Sequence, residues 1–188
     1  MFFKKSGNID DKTVKKAAAE LQNGSVQAFH LLYHKYKTAV YRYCYRLLND
    51  RDLADDAFQE TFVRVYENRD TFNGDNFKSW VFTIARNTCY NYLRTKKQQV
   101  NFDEEYIAPE TDKHTDFGLK DCIENAIAAL PVSYSEVIIL REYEDYSYQE
   151  IAEILDIDLS LVKIRIHRAR LILKEKLQPL VKEIYESR

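Results

Sequence analysis

Glycine and proline are scarce in this chain. Its 188 residues include four glycines and three prolines. That is too few for a β-sandwich or β-barrel, because such folds turn about every 8 to 12 residues. Hydrophobic residues make up 45% of the chain, which is enough for a core. The composition therefore predicts one ordinary or two small helical domains.

Long apolar runs are also missing. The longest run covers residues 126–130, and the first six residues contain no apolar stretch of signal-peptide length, so we expect neither a signal peptide nor a transmembrane helix. The three cysteines Cys44, Cys89 and Cys122 are widely spaced and form no CxxC pair. We expect buried free thiols in a cytoplasmic protein that is not inserted in a membrane.

Enzymatic motifs are absent as well. The sequence contains no GxxxxGK[ST], GxGxxG, GxSxG or HExxH motif. His30 and His34 have the i, i+4 spacing of a metal pair but no further ligand at suitable spacing, so exposed histidines are favoured over a metal site. We therefore expect a protein without catalytic activity, metal or cofactor.

Apolar residues recur at spacings of three and four over most of the chain, which predicts amphipathic helices. The helices so predicted cover residues 11–22, 26–48, a segment from 54 to 65, 77 to about 97, a segment from 119 to 130, 133–143, 147–155 and 159 to about 176.

The apolar periodicity is lost between residues 100 and 121. This stretch contains seven acidic residues and only two lysines, Lys113 and Lys120. Such a stretch is typical of a solvated linker. The expected fold is all-α, with two small helical domains joined by an acidic flexible linker. The predicted boundaries are 1–99 for the first domain, 100–118 for the linker and 119–188 for the second domain.

The second domain has the pattern of a helix-turn-helix. A short helix at 147–155 is followed by a turn at 156–158 and a longer helix from residue 159. Residues 158–182 carry seven basic and two acidic side chains, whereas residues 136–156 carry seven acids and one arginine. The longer helix, with Lys163, His167, Arg170 and Lys174 in a row, is therefore predicted to meet DNA. A merely solvated basic face is the weaker alternative.

Two further helical faces suggest partners. Thr83, Arg86, Asn87, Tyr90 and Arg94 share one face of the helix at 77–97, and cations, an aromatic ring and an amide together suit unpaired bases. The acidic segment 55–62 lacks nearby catalytic groups, and a polar docking face explains it better than paired catalytic carboxylates.

Four blocks of sequence together resemble the extracytoplasmic-function (group IV) sigma factors of bacterial RNA polymerase, the sigma-E branch in particular, over about residues 22–182. They are AFHLLY at 28–33 with RLL at 46–48; residues 55–62 with RVY at 64–66; TFNGD and FKSWVFTIARN at 71–75 and 77–87; and LP at 130–131, EVIIL at 136–140, YSYQEIA at 146–152, VK at 162–163, HRAR at 167–170 and KLQPL at 176–180.

The resemblance implies a sigma factor that binds core RNA polymerase and directs promoter recognition. It places Asp55, Asp56, Gln59 and Glu60 against the β′ clamp helices. In the minus-10 element it implies base handling by Phe72, Asn73, Asp75 and Asn87, beside Arg86, Tyr90 and Arg94. At the minus-35 element it implies DNA contacts by Lys163, His167 and Arg168, and we expect Ile164 and Arg170 of the same helix to belong to the same DNA-binding surface. Further implied partners are the β flap and an anti-sigma factor.

The chain departs from the family pattern where Asp156, Leu159, Leu161 and Ile164 replace glycine and small polar residues. Ile164 either contacts a thymine methyl group or is covered by protein, whether the first domain or an anti-sigma partner. Two other functions remain open from the residues alone: a stand-alone helix-turn-helix regulator with a helical sensor domain, and an interaction scaffold without a DNA role.

Overall fold

The computed structural model describes residues 9–73, 76–100 and 118–186. Every regular element in these ranges is helical, which confirms the predicted all-α class. The α-helices are α1 (Asp11–Gln22), α2 (Val26–Leu48), α3 (Arg51–Glu67), α4 (Phe77–Val100), α5 (Leu119–Ala128), α6 (Val132–Ile138), α7 (Tyr148–Leu155) and α8 (Leu159–Glu186). The predicted acidic linker and the loop position Asp75 lie outside the described residues.

Side-chain caps set the beginnings of the first three helices. Asp10, Ser25 and Asp50 each accept a hydrogen bond from the backbone N–H three residues on, at 2.9 to 3.2 Å. Gly24, with φ 82°, turns the chain between α1 and α2 in a left-handed conformation that a side chain would strain. These two helices have the bounds that the sequence predicts.

The core of the first domain is built around α2, which packs on α1, α3 and α4. Val40, Tyr43 and Cys44 on α2 are fully buried, as are Phe82 and Cys89 on α4. Cys44 and Cys89 are free and hydrogen-bonded to each other, and this bond together with burial raises the pKa of the Cys89 thiol. Both thiols are therefore core residues, and Cys89 is present in its protonated form.

The second domain consists of α5 to α8. After α6 the chain continues through one π-helical turn, Ile139–Tyr143, where the sequence predicts an ordinary helix. The turn between α7 and α8 begins at Asp156, which adopts the left-handed conformation (φ 52°) in place of the family's glycine. Val162 and Ile166 bury the inner face of α8 against the domain, and the predicted helix-turn-helix is confirmed.

Helix α8 ends at Glu186, ten residues beyond the predicted end at Lys176, and it contains Pro179. Proline removes one backbone hydrogen bond and bends a helix but need not end it. None of the helices in the described ranges is long and apolar enough to cross a membrane.

The two domains contact each other along one seam. Helix α4 packs on α7, and α2 packs on α5, α6 and the π-helical turn. Within the described ranges, the outer surface of α3 and the outer face of α8 lie outside this seam.

Candidate polymerase and nucleic-acid interfaces

Helix α3 presents the polar surface that the sequence predicts. Asp56 and Gln59 are exposed, Asp55 and Glu60 are half-buried, and Ala57 on the opposite side is fully buried. Glu60 accepts a hydrogen bond from Arg64 Nε at 2.8 Å. Burial and the neighbouring Glu60 carboxylate raise the pKa of Tyr92. Among the described residues, Asp56 and Gln59 are thus the two predicted docking residues whose side chains are exposed.

An aromatic groove adjoins this surface. The rings of Phe29, Tyr33, Phe58, Phe62 and Tyr66 pack edge to face or tilted between α2 and α3, with Tyr33 and Phe62 centroids 4.8 Å apart. The groove also contacts Gln59 and the side chain of Val63, which is 54% exposed. A polar edge beside an apolar groove fits a helical protein partner better than nucleic acid.

The surface of α4 that the sequence predicts to face bases is divided by the domain seam. Asn87 and Arg94 are exposed to solvent. Arg86 and Tyr90 instead turn toward the second domain, where Arg86 Nε and the Tyr90 hydroxyl donate to Glu136 at 3.1 and 2.9 Å. Burial and the Glu136 carboxylate raise the pKa of Tyr90 to about 12.

Thr83 lies on the same side of α4, one turn before Arg86. Its hydroxyl is 3.3 Å from the carbonyl oxygen of Ile154 on α7. Three of the five residues that the sequence places on one base-facing surface therefore touch the second domain, while the other two stay accessible.

Phe72, expected to handle a minus-10 base, belongs to the core. Its side chain is 7% exposed and packs on Phe77 and Trp80, with ring centroids 5.5 and 5.2 Å away. Its carbonyl accepts a hydrogen bond from Gln22 Nε2. Asn73, the next residue, is exposed. In this conformation the Asn73 side chain is accessible and the Phe72 ring is not.

The outer face of α8 carries the expected minus-35 residues. Lys163, His167 and Arg168 are exposed, and Ile164 is 47% exposed. The described residues of the first domain do not cover Ile164. Contact with a thymine methyl group and cover by a separate protein partner are the two expectations that remain. Arg170 is engaged within its own domain, with its guanidinium 2.6 Å from Glu142.

Glu136 is the functional candidate that the sequence does not reveal. Its side chain is completely buried and contacts Arg86 and Tyr90 from the first domain and Arg165 from α8, the last at 3.2 Å. These partners lie 29 to 50 positions away along the chain. A single glutamate on a short helix gives no local signal of such a contact.

The candidate metal pair does not develop into a site. His30 and His34 are both exposed, and the described part of the chain holds no group of three or more residues able to ligate a metal ion. The exposed faces of α3, α4 and α8 described above fit contacts with macromolecules better than the two histidines fit a metal ion.

Two family models match this chain. Residues 32–99 match the family described as Sigma-70 region 2, and residues 120–173 match Sigma-70, region 4. The chain is 33% identical to the ECF RNA polymerase sigma factor SigW of Bacillus subtilis strain 168, over 89% of this chain and 98% of that protein. It is 34% identical to the ECF RNA polymerase sigma-E factor of Escherichia coli K12, over 86% and 93%.

Solved structures show the same likeness. The sigma factor RpoE in complex with the anti-sigma factor NepR from Bartonella quintana superposes with a TM-score of 0.70 at 28% identity, covering 81% of this chain and 98% of that chain.

Proposed function

Because this chain belongs to the family of extracytoplasmic-function (ECF) RNA polymerase sigma factors, we propose a role for each of its exposed surfaces in transcription initiation. The chain directs initiation as a member of that family. The single observation that carries the assignment of surfaces is the match of the two helical domains, in order, to regions 2 and 4. We assign the protein no catalytic step of its own and place its action in the cytoplasm, where the polymerase works.

Helix α3 is the proposed polymerase contact. Asp56 and Gln59 are its exposed polar groups, and Asp55 and Glu60 flank them. Carboxylates that are solvated in the free protein pair readily with cations of a partner. Glu60 must first give up its ion pair with Arg64. The aromatic groove beside them supplies the apolar area that a protein contact needs.

The proposed minus-10 surface consists of Asn73, Asn87 and Arg94, with Arg86 and Tyr90 joining once the seam opens. Arginine follows phosphate, and the asparagine amides can read the edge of an unpaired base. Phe72 supports this surface from the core. Asp75 is assigned to the surface from the family resemblance alone.

The proposed minus-35 surface is the outer face of α8. Lys163 and Arg168 have no ion-pair partner among the described residues, so both are available to phosphates or to guanine edges. His167 and Ile164 lie between them, and Arg170 adds charge when it leaves Glu142. We further propose the β flap and an anti-sigma factor as partners of the second domain.

A stand-alone regulator with a sensor domain is the alternative function, and it accounts for fewer of these observations. A sensor does not require the first domain to match a polymerase-binding region. An interaction scaffold likewise gives no account of the basic face of α8.

Transcription in vitro tests the proposal. Core polymerase is incubated with a promoter library in the presence and absence of this protein, and specific transcripts are expected only in its presence. Asp56→Lys should abolish binding to core polymerase with unchanged circular dichroism, since exposed acids on a helix contribute little to folding. Asp52→Lys is the matched control, because Asp52 is an exposed acid on the same helix outside the docking set. Unchanged polymerase affinity of Asp56→Lys contradicts the docking assignment.

A further inference from the structure

A cleft opens between the two domains, next to the beginning of α1. One side is formed by α1, α2 and the first turns of α4, and the other by Glu144, Tyr146 and Glu150. The volume of the cleft is about 590 Å³. Small-molecule sites usually have volumes of about 300 to 1,000 Å³ and often lie between domains. The cleft is therefore large enough to hold a small ligand.

Aromatic rings form the apolar part of the cleft. The ring centroids of Tyr36 and Phe77 are 5.7 Å apart, and those of Phe82 and Tyr146 are 5.0 Å apart. All four residues line the cleft. Rings that meet at an angle, as these do, can receive a further ring in the same kind of contact. A ligand with one aromatic ring would extend this cluster.

Charged groups of both signs surround the rings. Three carboxylates and three ammonium groups line the cleft, so its formal charge is zero. They belong to Asp11, Glu144, Glu150, Lys15, Lys35 and Lys78. A ligand with a single charge would meet like charges as well as opposite ones in this cleft, whereas a ligand with both charges can pair each of them.

Lys35 and Asp11 are suited to pair with such a ligand. The Lys35 ammonium donates a hydrogen bond to the carbonyl oxygen of Ile9, which carries no charge. Because an ammonium group has three N–H donors, Lys35 can also bind a ligand carboxylate. Burial and the Asp11 carboxylate raise the pKa of Tyr36 to about 12. The Asp11 side chain is exposed, so a ligand ammonium can reach it.

The Tyr146 hydroxyl is a second sign of a polar ligand. Tyr146 is 1% exposed, and its hydroxyl has no hydrogen-bond partner among the described residues. Burial and the neighbouring Tyr36, Glu144 and Glu150 raise the pKa of Tyr146. Since these three neighbours also line the cleft, the hydroxyl lies beside it. A buried hydroxyl without a partner costs free energy, and a polar group of a ligand would supply the missing hydrogen bond.

We propose that the cleft is a binding site for a small zwitterionic aromatic molecule of the α-amino acid class. The ligand ring packs against Tyr36 and Tyr146, its carboxylate binds Lys35, and its ammonium group binds Asp11. The site is separate from the surfaces assigned above to polymerase and to promoter DNA.

Chemical-shift titration of the full chain by NMR, with L-phenylalanine as the probe, tests the site. Saturable one-to-one binding is expected, with a dissociation constant of about 1 mM or lower, as for other ligands of this size. Three further probes each lack one feature: phenethylamine lacks the carboxylate, 3-phenylpropionate lacks the ammonium group and glycine lacks the ring. Each should bind about tenfold more weakly or worse, because a group of the cleft then stays unpaired or uncovered.

Lys35→Met connects the carboxylate of the probe with its partner. This variant should bind L-phenylalanine about tenfold more weakly, and its affinity for phenethylamine should be unchanged because that probe has no carboxylate. Lys12→Met is the matched control, since Lys12 is exposed on α1 and does not line the cleft. Tyr146→Phe should also weaken binding of L-phenylalanine without lowering the stability of the free protein, because the hydroxyl that it removes has no partner there.

The outcomes decide the proposal. Absence of saturable binding of L-phenylalanine up to about 20 mM overturns the site, and equal affinity for phenethylamine overturns the zwitterionic class. Unaltered affinity in both Lys35→Met and Tyr146→Phe overturns the assigned contacts. Ala39→Phe is a second variant, chosen in case Lys35→Met fails to fold, and it fills the cleft with a ring because Ala39 lines it and is half-buried. Loss of binding in Ala39→Phe with unchanged circular dichroism supports the site, whereas retained binding overturns it.

Discussion

Glu136 is expected to couple the two domains energetically. Glu136→Gln keeps the shape of the side chain but leaves Arg86 and Arg165, which are 22% and 21% exposed, without their counter-charge. Removing one partner of a buried ion pair typically costs about 3 to 5 kcal/mol. Part of that loss concerns the second domain alone, through Arg165, and part concerns the seam, through Arg86.

A double-mutant cycle separates the two parts. If the seam is closed in solution, Glu136→Gln and Arg86→Ala should couple by about 1.5 to 3 kcal/mol, the usual range for a hydrogen bond to a charged group. Glu136→Gln and Arg165→Ala should couple whether the seam is open or closed, and this second cycle is the control. Urea-induced unfolding gives the free energies, followed by circular dichroism and by the fluorescence of the single tryptophan, Trp80.

The cycle has a clear negative result. Coupling between Glu136 and Arg86 within about 0.5 kcal/mol of zero, with the Arg165 coupling intact, refutes closure of the seam in solution. Transitions that coincide for the two probes are also expected, because a closed seam makes the domains unfold together.

Four further predictions concern promoter DNA and the core. Asn87→Ala should reduce open-complex formation, measured by permanganate reactivity of promoter thymines, more than initial binding, and Asn91→Ala, an exposed amide one turn on, should have no effect. Arg168→Ala should lower the slope of log affinity against log salt concentration for minus-35 binding by about 0.9 if Arg168 contacts a phosphate. Ile164→Ser should leave that slope unchanged and should alter the preferred base at one position in a selection from randomised sites. Identical preferred sequences for the wild type and Ile164→Ser would eliminate groove contact by Ile164. Phe72→Ala should destabilise the first domain by about 3 to 5 kcal/mol in urea, the usual loss for a buried phenylalanine, and an unchanged stability would place its ring outside the core.

Local chemistry explains which features could be predicted from the sequence. The bounds of α1 and α2 are set by their caps and by Gly24, all of which act within a few residues. Exposure of Lys163, Arg168 and Asn87 is a result of helical periodicity. The end of α8 could not be predicted, because proline permits either a stop or a bend.

The features that could not be predicted depend on contacts between residues that are far apart in the sequence. Phe72 lies in a polar loop segment, and only the position of Trp80 shows that its ring is covered. Arg86 and Tyr90 share a face with Asn87 in the sequence pattern, yet Glu136 binds both from another domain. A helical pattern identifies a face, but it does not identify which partner covers that face.

The π-helical turn at Ile139–Tyr143 has a consequence for how this protein can evolve. Such a turn holds one residue more than an α-helical turn. Tyr143 at its end and Glu144 directly after it contact Arg46 and Arg42 across the seam. Deleting one residue would restore an α-helix and rotate α6 by about 100° relative to these two contact residues. A one-codon deletion would thereby weaken the contact between the domains, which α4 and α7 also share, without removing any side chain assigned to polymerase or promoter. The strength of this contact can therefore change in a single genetic event.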